Sequence, residues 1–190
     1  MDAINEAIAE EMYRDEKVLL IGEEVGKPQE GCFAVTKGLE DKFGKDRVVN
    51  TPLSEAALGG VFVGAAMFGL RPIVEIMFGT LMTLVADEVR DQAGPMHYIS
   101  GGKIKVPGVI RTADWMRIVS GPHHYGNFDT LMINSPGIKC VAPSTPADAK
   151  GLLKAAIRDN DPVVFLEYTP LYNTVGEVPE DEDFVLPIGK

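Results

Sequence analysis

Asn50-Thr51-Pro52-Leu53-Ser54-Glu55 ends a short apolar run at Val48-Val49 and opens a long segment of small residues, Ala56 to Gly69. A β-strand is expected to stop here and a helix to begin. Glu55 then falls in the first turn of that helix, at the mouth of a sheet. In open α/β sheets, ligands bind at the carboxyl ends of the strands. The same residues also serve as a plain helix start, with Thr51 as cap, Pro52 first inside, and an acid favoured by the helix dipole. On these six residues alone both readings stand.

Toward the N-terminus, Ile4, Ala7, Ile8 and Met12 recur at helical spacing, so a helix is expected over Ala3 to Tyr13. Val18-Leu19-Leu20-Ile21 is a continuous apolar run of the kind buried on both faces of a sheet, closed by a turn from Gly22 to Gly26. Val35 to Phe43 reads as a helix ending at Gly44. Toward the C-terminus, the helix from Ser54 carries Gly59, Gly60, Gly64 and Gly69. Each costs about 1 kcal/mol relative to Ala in an exposed helix, so a buried helix under close approach is expected. A strand at Arg71–Ile76 follows, then a helix over Thr80–Gln92 that stops before Gly94-Pro95. After a loop at Gly101-Gly102 come strands at Val109–Arg111 and Lys139–Ala142. A helix capped by Thr145, with Pro146 first inside, runs to Arg158; the turn Asp159–Pro162 leads to a last strand at Val163–Glu167. The expected class is α/β, a mostly parallel sheet with helices on both faces. Residues 1–168 are expected to form one domain, and the acidic, proline-bearing residues 169–190 an exit arm or linker.

A chain of 190 residues can bury a real core, and 45% hydrophobic with 24% charged residues is a globular composition. A formal net charge of -10 with no basic patch argues against nucleic acid and against an anionic membrane surface as partners. No apolar run reaches membrane-spanning length. The acids gather in Glu6–Glu16 and Glu177–Asp183, where solvated faces are expected. Cys32 and Cys140 lie far apart without metal-ligand spacing, which fits a reducing compartment and no disulfide framework. The chain starts directly in an amphipathic pattern, so a cytoplasmic protein is expected.

Rossmann, phosphate-loop and nucleophile-elbow signatures do not occur. Three polar features remain. Glu55 is one, and Glu23-Glu24, just past a buried strand at the same sheet edge, is the second. His123-His124-Tyr125, in a Gly-Pro-flanked loop, is the third. A histidine pair is more often structural than catalytic, although histidine titrates in the useful range. The remaining histidine, His97, offers no third ligand at helical spacing.

Taken in order and at their spacing, several stretches resemble one family over almost the whole chain. They are Val18–Val25 (VLLIGEEV), Val35–Phe43 (VTKGLEDKF), Asn50–Glu55 (NTPLSE), Val63–Glu75 (VGAAMFGLRPIVE), Tyr98–Gly102 (YISGG), Pro143–Asp161 and Phe184–Lys190 (FVLPIGK). The resemblance is to the pyrimidine-binding domain in the beta subunit of the thiamine-diphosphate-dependent decarboxylase component of 2-oxo acid dehydrogenase complexes. That group covers pyruvate, branched-chain and acetoin dehydrogenases. Family chains continue past the FVLPIGK stretch into a second α/β domain.

The resemblance implies a role for each matching position. Glu55 matches the acid that hydrogen-bonds the aminopyrimidine ring nitrogen of thiamine diphosphate and, by sharing a proton, favours the imino tautomer that deprotonates the thiazolium carbon. Leu53 matches the apolar residue lining that ring, and Glu23 a second acid near it. Leu81 stands where an aromatic residue usually stacks on the ring. His124 falls on the histidine that faces the substrate and the incoming lipoyl group. Ala156, Ile157, Asp159 and Asp161 match a loop holding a structural potassium ion, largely through backbone carbonyls; a plain helix C-terminal turn accounts for the same residues. The magnesium and diphosphate would be held by an alpha subunit, in a heterotetramer, with acyl transfer from a 2-oxo acid or acetoin to a lipoyl-bearing acyltransferase.

The departures fall around the ring stack and the substrate pocket. Leu81 replaces the usual aromatic residue and Leu84 an often polar one. Thr112-Ala113-Asp114-Trp115-Met116-Arg117-Ile118-Val119 replaces a segment rich in Gly and Ala, and Tyr125 a Ser. A split transketolase-like half, and an assembly or regulatory paralogue without catalysis, are the alternatives.

Overall fold

Six strands, β1 (Val18–Glu23), β2 (Val48–Thr51), β3 (Arg71–Phe78), β4 (Gly108–Asp114), β5 (Lys139–Val141) and β6 (Pro162–Tyr168), form one sheet in the order β2-β1-β3-β4-β6-β5. Every pairing is parallel. The computed structural model describes residues 1–115 and 121–189, so Met116–Val119 and Lys190, which bear on the family resemblance, lie outside the described residues. Parallel strands joined by crossovers leave two faces to cover, and both are apolar here. On one face α1 (Asp2–Arg14) and α6 (Pro146–Arg158) bring Ile4, Ile8, Met12, Leu153 and Ile157 onto Leu20, Ile73, Val109 and Phe165. On the other, Leu58 and Phe62 of α3 (Glu55–Met67), with Val85 and Val89, cover Ile21, Val74, Ile110 and Val164. The strand order reverses direction between β1 and β3, which makes that sheet edge the topological switch point.

Local chemistry moves several expected boundaries. Thr51 is the last residue of β2, paired with Glu23, and is not the cap; Ser54 is the N-cap of α3 and Pro52 lies before the helix. The expected helix over Val35–Phe43 shrinks to α2 (Leu39–Phe43), because Gly38 takes φ 76° and the Thr36 hydroxyl is drawn to the Val25 carbonyl at 2.8 Å. The segment expected as one helix over Thr80–Gln92 is a 3-10 turn at Gly79–Leu84 followed by a π-helical turn at Asp87–Ala93. It does not stop at Gly94-Pro95. Pro95 lies in the first turn of α4 (Gly94–Ile99), which follows the π-helical turn without a break. A short α5 (Asp129–Ile133) precedes β5.

α3 is also not buried all round. Leu58, Gly59, Phe62 and Ala66 face the core, while Gly60, Val61, Met67 and Phe68 are exposed. Only Gly59 answers to close approach within the chain: a Cβ there would lie 3.0 Å from Glu88 Cβ, whereas Gly60 and Gly64 have open space. The acids of α1, expected to be solvated, are largely engaged instead. Glu11 is fully buried and paired with Arg158 at 2.7 Å, and Glu10 binds Lys150 at 2.8 Å and also Lys154. Those two lysines also donate to the carbonyls of Pro179 and Glu182, and the Leu186 N–H bonds to the Gly151 carbonyl at 3.1 Å. Residues beyond β6 therefore run back over α6. Cys32 and Cys140 are free thiols, and no helix among the described residues is long and apolar enough to cross a membrane.

Candidate functional site

At the switch point β1 delivers Glu23 to the sheet edge with 1% of its surface exposed. Its carboxylate accepts the Ser54 backbone N–H at 2.7 Å, so the acid caps the entrance to α3 from a neighbouring strand. The Ser54 hydroxyl turns away to the Pro52 carbonyl at 3.1 Å. Glu55 follows in the first helical turn, half-buried, where the helix dipole favours negative charge. Burial raises the Glu23 pKa above the ordinary carboxylate range, the Ser54 N–H opposes the rise, and the charges of Glu55 and Glu24 add to it. Burial and the neighbouring charges thus favour the proton-holding form of Glu23 beside Glu55. The backbone is bent hard just beyond: Glu24 holds a left-handed φ of 60°.

The adjoining strand β3 carries the histidine loop. Phe78 at its C-terminal end stacks on the His124 imidazole, with centroids 4.5 Å apart and planes 24° from parallel. The Thr80 hydroxyl donates to the His123 carbonyl at 2.8 Å and ties the histidine loop to the turn after β3. Leu53 is 74% exposed, while Leu81 is partly buried and packs against the core under α3. Leu84 is half-exposed. Glu23 and Glu55 are thus neighbours, and His124 reaches the end of the adjoining strand.

Ala156, Ile157, Asp159 and Asp161 lie where α6 enters β6, at the opposite edge of the sheet. The Ile157 and Asp159 carbonyls converge on one nitrogen of Arg71, at 3.0 and 2.7 Å, and Lys139 binds the carboxylates of Asp159 and Asp161. Two side-chain cations thus already serve this turn. A potassium ion fits there only through carbonyl lone pairs left over, such as that of Ala156, which accepts one N–H from Asp159.

Sequence reasoning missed Phe78 and a buried ionic cluster beside it. Glu75, Arg111 and Glu167 lie on β3, β4 and β6, with Arg111 Nη1 2.8 Å from Glu75 and Nε 2.6 Å from Glu167. Burial opposes the Arg111 charge, but the Glu167 and Glu75 carboxylates outweigh it and raise its pKa. Burial raises the Glu75 pKa despite Arg111. The available signal was a charged residue within or next to each of three apolar strand runs. Among the described residues no group of three or more His, Cys, Asp or Glu could hold a metal ion.

Residues 1–174 match the family model described as transketolase, pyrimidine binding domain. The chain is 45% identical over its full length to a 2-oxoisovalerate dehydrogenase subunit beta of Bacillus subtilis (strain 168), covering 58% of that protein. It is 44% identical, again over its full length, to a mitochondrial pyruvate dehydrogenase E1 component subunit beta of Dictyostelium discoideum, covering 54% of it. The chain thus spans about half the length of these curated relatives. In fold it is similar to a split-gene transketolase solved as an inactive beta4 tetramer, with TM-score 0.73 at 19% identity, over 97% of this chain and 54% of that one.

Proposed function

The chain belongs to the transketolase pyrimidine-binding domain family, and on that premise we propose that it supplies the pyrimidine-binding half of a thiamine-diphosphate-dependent 2-oxo acid or acetoin dehydrogenase. The observation that carries this reading is the Glu55–Glu23 pair at the switch point: one half-exposed carboxyl beside one buried and proton-retaining. Such a pair fits an aminopyrimidine, a flat heterocycle that exchanges a proton through a ring nitrogen. Thiamine diphosphate, when bound, supplies the acidic carbon and the electron sink for decarboxylation.

The chain's own residues then do the following. Glu55 hydrogen-bonds the ring nitrogen and holds or returns its proton. Glu23, rigidly bonded to the Ser54 N–H, fixes the start of α3 and so the place of Glu55. Leu53 covers the ring from the rim, and Leu81 closes the site from below. His124, stacked on Phe78, faces the substrate and the arriving lipoyl group. An alpha subunit holds magnesium and the diphosphate and docks on the open side of α3, whose Val61, Met67 and Phe68 are exposed. The acyl group leaves to a lipoyl-bearing acyltransferase. A potassium ion on the Ala156–Asp161 turn belongs to the proposal as a structural ion only.

Leu81 and Leu84 favour a second reading, a non-catalytic assembly or regulatory paralogue, because neither offers the ring-stacking or polar group usual at its position. Co-expression with an alpha subunit separates the two. The wild-type complex is expected to bind thiamine diphosphate and decarboxylate a 2-oxo acid, and Glu55→Gln to lower turnover by about 10²- to 10⁴-fold. Equal behaviour of the two would overturn the catalytic reading.

A further inference from the structure

Tyr172 lies beyond β6, in the stretch whose sequence reads as an exit arm, yet it reaches into the sheet edge. Its hydroxyl donates to Glu167 Oε2 at 2.6 Å, and Glu167 in turn faces Arg111, which also binds Glu75. Tyr172 is thereby fixed to three strands through a buried ionic cluster. Such anchoring is stiff, since a buried charge cannot leave its partner without a large desolvation cost.

From that anchor a line of aromatic contacts leads to the candidate site. The Phe33 ring meets Tyr172 at 5.4 Å and 64°, and Phe78 at 6.3 Å and 87°. Phe78 then stacks on His124 at 4.5 Å. Edge-to-face pairs of this kind have preferred geometries, so moving one ring disturbs the next. Both supporting segments are themselves over-determined. Phe33 sits in a loop where Glu24, Glu30 and Ala34 hold left-handed φ angles of 60°, 56° and 57°. Bonds from Gly31 N–H to the Glu24 carbonyl at 2.7 Å and from the Thr36 hydroxyl to Val25 at 2.8 Å hold that loop. Strained backbone persists only where surrounding contacts enforce it, and here the outcome is the aim of Phe33. Phe78 follows a register shift between Ile76 and Phe78 against β4, an irregularity that redirects a strand end.

We propose that Tyr172 is a positioning residue for His124: held by Glu167, it sets Phe33, which sets Phe78, which sets the plane of the imidazole. The consequence for turnover rests on the role given to His124 above; the mechanical coupling does not.

The chain has three histidines, His97, His123 and His124, so histidine-selective NMR labelling reads each ring once His→Gln variants assign them. Stacking on Phe78 places the His124 ring protons upfield, and Phe78→Leu defines the unstacked position. Tyr172→Phe, which keeps the ring and loses the anchor, and Phe33→Leu, which keeps the anchor and loses the link, are both expected to move His124 part of the way there. His97, bonded to the Ile104 carbonyl, stays in place. Val163→Ala, a core change outside the aromatic line, is expected to lower stability without moving His124. An unmoved His124 in both relay variants overturns the proposal, as does an equal movement in Val163→Ala. In the complex with an alpha subunit, Tyr172→Phe is expected to lower kcat by up to about 100-fold with little change in KM. If His124 moves in the spectra but His124→Gln leaves turnover intact, the positioning stands and the role given to His124 fails.

Discussion

α6 and α3 have 13 residues each and cover opposite faces of one sheet, but only α6 is enclosed by this chain. α6 starts with a reciprocal Thr145–Asp148 capping box, and residues 179–186 close over its outer side through Lys150, Lys154 and Gly151. α3 starts at Ser54 without a side-chain cap and leaves Val61, Met67 and Phe68 exposed, the last at 93%. A helix apolar on every side belongs in an interior, and this one has only half an interior. The carboxylate of the candidate site stands at the start of that half-covered helix. One face of the sheet is therefore closed by this chain's own residues and the other is left partly open, and the proposed chemistry and docking sit on the second.

The strongest way to break this division is to attack the closed face. Arg111→Met leaves Glu75 and Glu167 buried without their counter-charge, and is expected to cost about 3–5 kcal/mol in urea unfolding. A loss below about 1 kcal/mol would mean the cluster is not a structural anchor. Glycine substitutions test the two helices directly. A Cβ on Gly151 of α6 would lie 2.7 Å from Leu186 and 2.9 Å from Phe184, whereas one on Gly60 of α3 meets nothing within 4 Å. Gly151→Ala is expected to lose up to about 2 kcal/mol, overpacking exceeding the helix-propensity gain, and to expose residues 179–186 to protease. Gly60→Ala is expected to gain about 1 kcal/mol in the isolated chain and to weaken association with an alpha subunit. If Gly60→Ala stabilises both the chain and the complex, the open side of α3 is not the docking face.

The same contrast explains what the amino-acid pattern disclosed. α6 was readable because its signals are local: a Thr-Pro start, an acid three residues on, and apolar residues at helical spacing. The parallel α/β class was readable from strand runs alternating with helices. α3 misled because an all-apolar, glycine-rich segment looks the same whether it is covered by its own chain or not. Thr51 misled because a strand's last ladder bond outranked a favourable capping residue. Glu55 and Glu23 were legible as acids at a sheet edge, but the bond from Ser54 to Glu23 joins residues 31 apart in sequence. The Phe33–Phe78–His124 contacts needed the fold, since neither phenylalanine carries a chemical signature.

The smallest effects sharpen the comparison in pH. Burial raises the folded pKa of Glu23, offset in part by the Ser54 N–H, so the folded chain keeps this proton to higher pH than the unfolded chain does. Stability tied to the protonated form is complete below the unfolded value of about 4.3 and is lost as pH rises through the folded one. Glu23→Gln keeps an acceptor for Ser54 and cannot ionise, so it is expected to match the wild type near pH 4 and to exceed it at pH 8. Asp148 of α6 is the reverse case. The Ser144 hydroxyl and the Thr145 hydroxyl and backbone contacts at the cap lower its pKa, so its contribution is present above the unfolded value and fades as pH falls through the folded one. Asp148→Asn is therefore expected to be weaker than the wild type at pH 8 and to converge with it in acid. The two variants therefore change in different windows: in urea midpoints the Glu23→Gln advantage is expected to grow as pH rises from 4 to 8, whereas the Asp148→Asn deficit is expected to stay constant there and to close only below a pH of about 4. A Glu23→Gln difference that stays constant from pH 4 to 8 would mean that the bond from Ser54 fully offsets the burial of Glu23, and that the acid beside Glu55 has no proton to share.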